Sequence, residues 1–169
     1  HPKIKIIYQE KNEGPVSSLN LAFKEAKGEI LGYINSDDFY LKNTLKKVSN
    51  VFKSNPSLNL IFGNAHVIDD QNYKIKDFIS KKFSHQRFRL NQQLICQQAT
   101  FFKKNIYDKT SGFNPVNKRS WDFELFVDMV KKGATYKKID YYLACFRVYS
   151  DSITSNGTLE NRKENLKHL

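Results

Sequence analysis

The chain has 169 residues, 40% of them hydrophobic and 14% aromatic, with 28 Lys and Arg against 17 Asp and Glu for a formal net charge of +11. This length and apolar content give one domain with its own core and exclude a disordered chain. No apolar run approaches the ~20 residues of a membrane span, no secretory leader is visible, and no RNA-binding or helix-turn-helix signature accompanies the positive charge.

Ile4–Tyr8 is predicted as a short first strand, followed by a polar turn over Gln9–Gly14. Pro15 suits the first position of a helix that runs to about Lys27. Val16, Leu19, Ala22, Phe23 and Ala26 fall at spacings of three and four and give it one buried face, with Gly28 as its C-terminal cap. Ile30, Leu31, Tyr33 and Ile34 then read as a central buried strand. A helix over Leu41–Phe52 carries Leu41, Leu45, Val48, Val51 and Phe52 on one side, and Asn55-Pro56 stops it.

Leu58–Ile68 is predicted as a strand with an irregularity at Gly63, and Asp69–Asn72 as the turn of a hairpin whose second arm is Tyr73–Ile79. Phe83–Leu94 reads as a basic loop and helix, Gln98–Lys103 as a strand, and Asn105–Lys109 as a helical turn. Trp121–Lys132 is a helix with Phe123, Phe126, Val127 and Val130 apolar, capped by Gly133. Ala134–Lys138 and Tyr141–Tyr149 are the last strands, and the residues beyond Gly157 form a polar helical tail. With no repeat and no linker, residues 1–169 make a single domain.

The chemistry concentrates at Asn35-Ser36-Asp37-Asp38, where an apolar strand ends in two adjacent carboxylates. In open α/β sheets ligands bind beyond the carboxyl ends of the strands, and paired carboxylates there suit Mg²⁺ or Mn²⁺, which take hard oxygen ligands and leave room for phosphates. The alternative is an acidic turn in which Asp38 caps the following helix. Cys96 and Cys145 read as two free, buried thiols, and His66 and His85 have no zinc spacing.

The block Asn12-Glu13-Gly14-Pro15 to Ala26-Lys27-Gly28-Glu29, the following strand and Asn35–Asp38 together resemble family 2 glycosyltransferases. Gln97-Gln98-Ala99-Thr100-Phe101-Phe102, Gly112-Phe113-Asn114 and Trp121-Asp122-Phe123-Glu124-Leu125 continue the resemblance in the family's order, to about residue 155, with 156–169 as tail. It implies an α/β GT-A fold, a mixed and mostly parallel sheet flanked by helices, lacking the amino-terminal part of the domain. The loss of those strands would expose apolar edges and favour a homodimer.

The activity the resemblance implies is inverting transfer of a sugar from a nucleotide-diphosphate donor, UDP-sugar favoured, to a saccharide or lipid-linked acceptor, with weak or no activity expected of this fragment alone. Asp37 and Asp38 would hold Mn²⁺ or Mg²⁺ at the donor diphosphate. Asn12, Gly14, Asn20, Asn35, Ser36 and Arg147 would line the nucleotide and its phosphates. Asp122 matches the catalytic base, with Glu124 as the alternative carboxylate. Gln97, Gln98 and Trp121 would line the sugar or acceptor. Two departures stand out: Asn35 replaces the first Asp of the Asp-x-Asp pattern, and Tyr149 stands where relatives often carry His. The implied setting is cytoplasmic, with peripheral contact at the inner face of the membrane and no nucleic-acid partner. Two alternatives remain: a non-catalytic basic half-domain that binds a membrane surface or partner chain, and a hydrolase using Asp122 and Glu124.

Overall fold

A computed structural model describes residues 4–82, 84, 94–117 and 120–149. Its spine is β3 (Leu60–Ile68), nine residues of which only His66 is not buried. One edge of β3 is covered along its length by β6 (Tyr136–Arg147), which runs parallel to it. The other edge is shared by two antiparallel strands, β5 (Thr100–Lys103) against Leu60–Phe62 and β4 (Lys74–Phe78) against Ala65–Ile68. Two-residue strands close the sheet, β1 (Ile30–Leu31) on β5 and β2 (Phe39–Tyr40) on β6, for the order β1-β5-β3-β6-β2 with β4 beside β3.

Strand alternation sends successive side chains to opposite faces and makes two cores. Leu60, Phe62 and Phe102 face α1 (Pro15–Glu25) and the later helix α4 (Trp121–Lys131), where Phe23, Leu125, Phe126 and Met129 complete the layer. Ile61, Phe101 and Leu143 face the other way, onto Val48 and Phe52 of α2 (Thr44–Ser54). A single helical turn, α3 (Lys104–Tyr107), follows β5 and adds Ile106 to the first layer.

Several elements fall as their patterns predict: α1, α4 with Gly133 in the left-handed region (φ +89°) behind it, and the β3–β4 hairpin. Others differ. Ile4–Tyr8 forms no strand, because no described strand lends it a partner backbone; Ile4, Ile6 and Tyr8 are exposed and Lys5 instead pairs with Glu25. β1 ends the strand order rather than standing at its centre. The sheet is mixed as expected, but its pairings are mostly antiparallel: β3 and β6 form the one parallel pair among the described strands.

α1 stops at Glu25 with Ala26 as its cap, two residues before Gly28. α2 starts at Thr44, whose buried hydroxyl donates to the Leu143 carbonyl at 2.6 Å, so Leu41 precedes the helix and Leu45 is exposed. Asn43, not Asp38, stands at its N-cap. The two predicted last strands are one strand, β6, whose register against β3 slips around Gly63. The Phe83–Leu94 helix, apart from Ser84 and Leu94, and the tail beyond Gly157 lie outside the described residues, as does His85.

Candidate active site

β1 carries the chain toward the Asn35–Asp38 turn, which is closed by the Asp38 N–H donating to the Asn35 carbonyl at 3.2 Å. Tyr33, just before the turn, is wedged edge-on between the rings of Phe23 and Phe113. Below it lies a buried 3₁₀ turn, Gln97–Ala99, that leads into β5. A cleft of about 490 Å³ opens above these elements. Its walls include Asn35 and Asp37 from the turn, Gln97 and Gln98 from the 3₁₀ turn, Trp121 and Asp122 from the start of α4, and Arg147 and Tyr149 from the end of β6. Residues separated by over a hundred positions thus meet in one space.

The two adjacent carboxylates divide. Asp37 faces the cleft, and one of its oxygens accepts the Tyr149 hydroxyl at 3.3 Å. Asp38 is not in the cleft wall. Its Oδ1 accepts the Arg147 backbone N–H at 2.8 Å, and its Oδ2 accepts Gln98 Nε2 at 2.8 Å and Asn35 Nδ2 at 3.1 Å. Burial pushes the Asp38 carboxyl above the usual carboxylate range against the pull of those donors.

Asp122 sits in the first turn of α4, and its Oδ1 accepts the Phe123 N–H at 2.8 Å. Burial raises its pKa as well, and among the described residues no basic side chain offsets the shift. Glu124 is two residues further along the helix, about 200° around it. It accepts the side-chain amides of Asn114 (2.9 Å) and Asn117 (2.6 Å) and lines a separate groove. The structure does not bring it to Asp122.

The remaining expected site residues separate into liners and supports. Gln97 is a buried residue of the cleft wall, and its Nε2 donates to the Tyr33 carbonyl at 2.8 Å. Trp121 Nε1 is buried and, among the described residues, meets no acceptor in hydrogen-bond geometry. Asn12 accepts the Gly14 N–H, and Gly14, at φ +88°, turns the chain into α1; neither lines the cleft, though Pro15 does. Ser36 is exposed outside the lining. Asn20 is spent on the fold: its amide donates to the Phe113 carbonyl at 2.8 Å and accepts the Phe113 N–H at 2.9 Å. Arg147 is largely spent too, with Nε on the Asp37 carbonyl at 2.9 Å, Nη1 on the carbonyls of Asp69 (2.6 Å) and Asp70 (3.2 Å), and Nη2 on Asn72 Oδ1 (2.7 Å).

Tyr33 and Tyr149 join the site without having been singled out for it. Tyr149 carried a signal, as the departure from His, whereas Tyr33 read only as strand. The Tyr33 hydroxyl is pushed far above its ordinary value by burial and then by the Asp122 charge. Cys96 and Cys145 are free and buried, and burial lifts the Cys96 thiol to about 12. His66 stacks on Tyr142 and pairs with Asp77 at 2.7 Å, a structural contact.

Among the described residues no three His, Cys, Asp or Glu side chains converge as a metal cage. The donor set, the Asp37 carboxylate beside open space, fits a hard cation that takes one or two protein oxygens and completes its shell with water and phosphate. It does not fit zinc.

The fold is shared with solved structures. Staphylococcus aureus TarS 1-349 in complex with UDP-GlcNAc aligns with a TM-score of 0.71 and 17% identity, over 92% of this chain and 45% of that one, and the fold is GT-A. Residues 1–113 match Glycosyl transferase family 2, and the chain belongs to that family. Chondroitin synthase of Escherichia coli is 26% identical over 166 residues, 98% of this chain and 24% of that protein. UDP-Glc:alpha-D-GlcNAc-diphosphoundecaprenol beta-1,3-glucosyltransferase WfgD of Escherichia coli is 23% identical over 165 residues, 96% of this chain and 62% of that protein. The chain thus spans less than two thirds of either relative.

Proposed function

We propose that this chain carries the diphosphate and acceptor sides of an inverting, metal-dependent glycosyltransferase. The donor is a nucleotide-diphosphate sugar, with UDP favoured, and the acceptor a saccharide or lipid-linked saccharide. The observation that carries the reading is that Asp37 and Asp122, from different elements, line the same cleft. Family membership supports transfer, and the UDP and UDP-GlcNAc bound by TarS support the donor class. The diphosphoundecaprenol acceptor in the name of WfgD supports a lipid-linked alternative to a free saccharide. The reaction would take place at the cytoplasmic face of a membrane, where a charge of +11 favours anionic head groups.

Asp122 takes the proton of the acceptor hydroxyl as that oxygen attacks the anomeric carbon. The bond from that carbon to the diphosphate oxygen breaks on the opposite face, so one displacement inverts the centre and needs no covalent intermediate. Burial makes Asp122 a stronger base than an exposed carboxylate. Asp37 would hold Mg²⁺ or Mn²⁺, which supplies Lewis-acid neutralisation of the leaving diphosphate. Trp121 and Gln97 would line the sugar or acceptor side of the cleft.

The hydrolase alternative needs Glu124 beside Asp122, and Glu124 is instead held by Asn114 and Asn117. The non-catalytic alternative carries the expectation that the carboxylates do not converge or that the cleft is open where the nucleotide should sit, and the shared cleft counts against its first form. Calorimetric titration of the chain with UDP, with and without Mn²⁺, tests the reading. Binding that requires Mn²⁺ and is lost in Asp37→Ala is expected. UDP binding unaffected by either change would overturn the metal–diphosphate assignment.

A further inference from the structure

Two neighbouring glutamines hold the two ends of the segment that presents Asp37. Gln97 Nε2 binds the Tyr33 carbonyl at 2.8 Å, and Gln98 Nε2 binds the Asp38 carboxylate at 2.8 Å. Gln98 is 6% exposed, and its own carbonyl is fixed by the Cys96 thiol at 3.3 Å. The other Asp38 oxygen is taken by the Arg147 backbone N–H. The Arg147 guanidinium then ties the Asp37 carbonyl to Asp69, Asp70 and Asn72 in the β3–β4 turn. Three parts of the fold, the 3₁₀ turn, the end of β6 and the hairpin turn, therefore converge on a two-residue stretch in which the Asp37 carboxylate is the one that faces the cleft.

From this geometry we infer that Asp38 and Arg147 are positioning residues for Asp37, rather than a second metal ligand and a phosphate clamp. Asp38 accepts three hydrogen bonds on its two oxygens and stands outside the cleft wall, so turning it toward a cation would strand three donors. Four of the five guanidinium N–H groups of Arg147 are engaged with loop oxygens, which leaves no fork for a phosphate. The chemistry of the pair explains why the two carboxylates are adjacent yet unlike: one is anchored so that the other is aimed. The inference rests on the proposed diphosphate–metal reading of the cleft for what Asp37 is aimed at.

The test exploits the complementarity of Asp38 and Gln98. Asp38→Asn puts an amide N–H₂ against the Gln98 N–H₂, while Asp38→Asn combined with Gln98→Glu restores a donor facing an acceptor. Mn²⁺-dependent UDP affinity is measured for the wild type, Asp37→Ala, Asp38→Asn, the double exchange and Arg147→Lys, alongside thermal unfolding of each without ligand. Loss of a buried hydrogen bond to a carboxylate predicts affinity weakened about tenfold or more in Asp38→Asn. The double exchange is expected to recover most of that loss, and Arg147→Lys to weaken binding without abolishing it.

A double exchange as defective as Asp37→Ala, in a chain that unfolds at the wild-type temperature, would make Asp38 a direct ligand and overturn the inference. Wild-type affinity in Asp38→Asn would overturn it as well. A wild-type chain without Mn²⁺-dependent UDP binding is a distinct result that removes the function reading. In that case the unfolding temperatures still decide whether positions 38 and 98 are coupled, and their absence of coupling would dispose of the clasp itself.

Discussion

Asp122 shows how far one side chain's surroundings can be read as behaviour. Burial raises its pKa above the ordinary carboxylate value, so the folded state holds the proton more tightly than the unfolded state does. Its contribution to stability is full below the unfolded carboxylate pKa and is lost as pH rises through the raised folded value. Asp122→Asn should therefore unfold at a higher temperature than the wild type near neutral pH, with the gap closing toward about pH 4, the unperturbed carboxylate range. The same variant should lose transfer activity by about 10²-fold or more, the usual scale for a general base, while keeping Mn²⁺-dependent UDP binding. In the wild type, the acid limb of kcat/KM should lie above the ordinary carboxylate range. Asn20 is a contrasting residue. Both its amide groups pair with the backbone of Phe113, so Asn20→Ala strands two part-buried groups and should cost about 1–3 kcal/mol in denaturant unfolding. Nucleotide affinity should change only through the fold.

At the scale of elements, β3 and β6 decide the geometry of the cleft. β6 delivers Arg147 and Tyr149 to the site only after its register slips past Gly63. A Cβ at Gly63 would stand 2.7 Å from the Tyr141 carbonyl oxygen and 2.8 Å from Leu143 Cδ1. The carbonyl belongs to a paired strand and cannot swing aside as a flexible side chain would. Gly63→Ala should thus cost about 1–3 kcal/mol, the usual range for overpacking, and loosen Arg147 with it. α2 makes the opposite point. Its expected apolar stripe included Leu45, which is 64% exposed because the helix begins later and turns Thr44, Val48 and Phe52 inward. Leu45→Lys should leave stability within about 0.5 kcal/mol, whereas Phe52→Ala should cost about 3–5 kcal/mol. Chemical denaturation of the two variants checks both.

Across the whole molecule, two helical layers over a mixed sheet leave the thiols inside and the charge outside. Cys96 and Cys145 are buried, and Cys96 is a thiol with its pKa lifted to about 12. Disulfide exchange reagents should therefore label both only at the rate of opening, and fully in denaturant. Rapid labelling of the folded chain would contradict the core arrangement. No helix among the described residues is long and apolar enough to cross a membrane, so contact with anionic head groups would rest on surface charge. Ile4, Ile6 and Tyr8 remain exposed for want of a paired strand, which periodicity in five residues cannot foresee, since a strand exists only with its neighbour.

The sequence by itself determined the order and kind of the elements with strong local patterns: α1, α4, the β3–β4 hairpin and the apolar lead into Asn35–Asp38. It also marked Asp37 and Asp38 as a pair and Asp122, with Glu124 as its alternative, as the carboxylates to watch, because turn chemistry, helical periodicity and block order all operate over a few residues. Only the tertiary structure decided which of two adjacent carboxylates faces the cleft, that Glu124 turns away, and that the side chains of Asn20, Gln98 and Arg147 are hydrogen-bonded within the fold. Those roles depend on hydrogen bonds that span 60 to 110 residues, as between Gln98 and Asp38 or Arg147 and Asp37. No local pattern encodes such a partner; it is chosen when packed strands bring distant donors to a buried acceptor that has no water left to satisfy it.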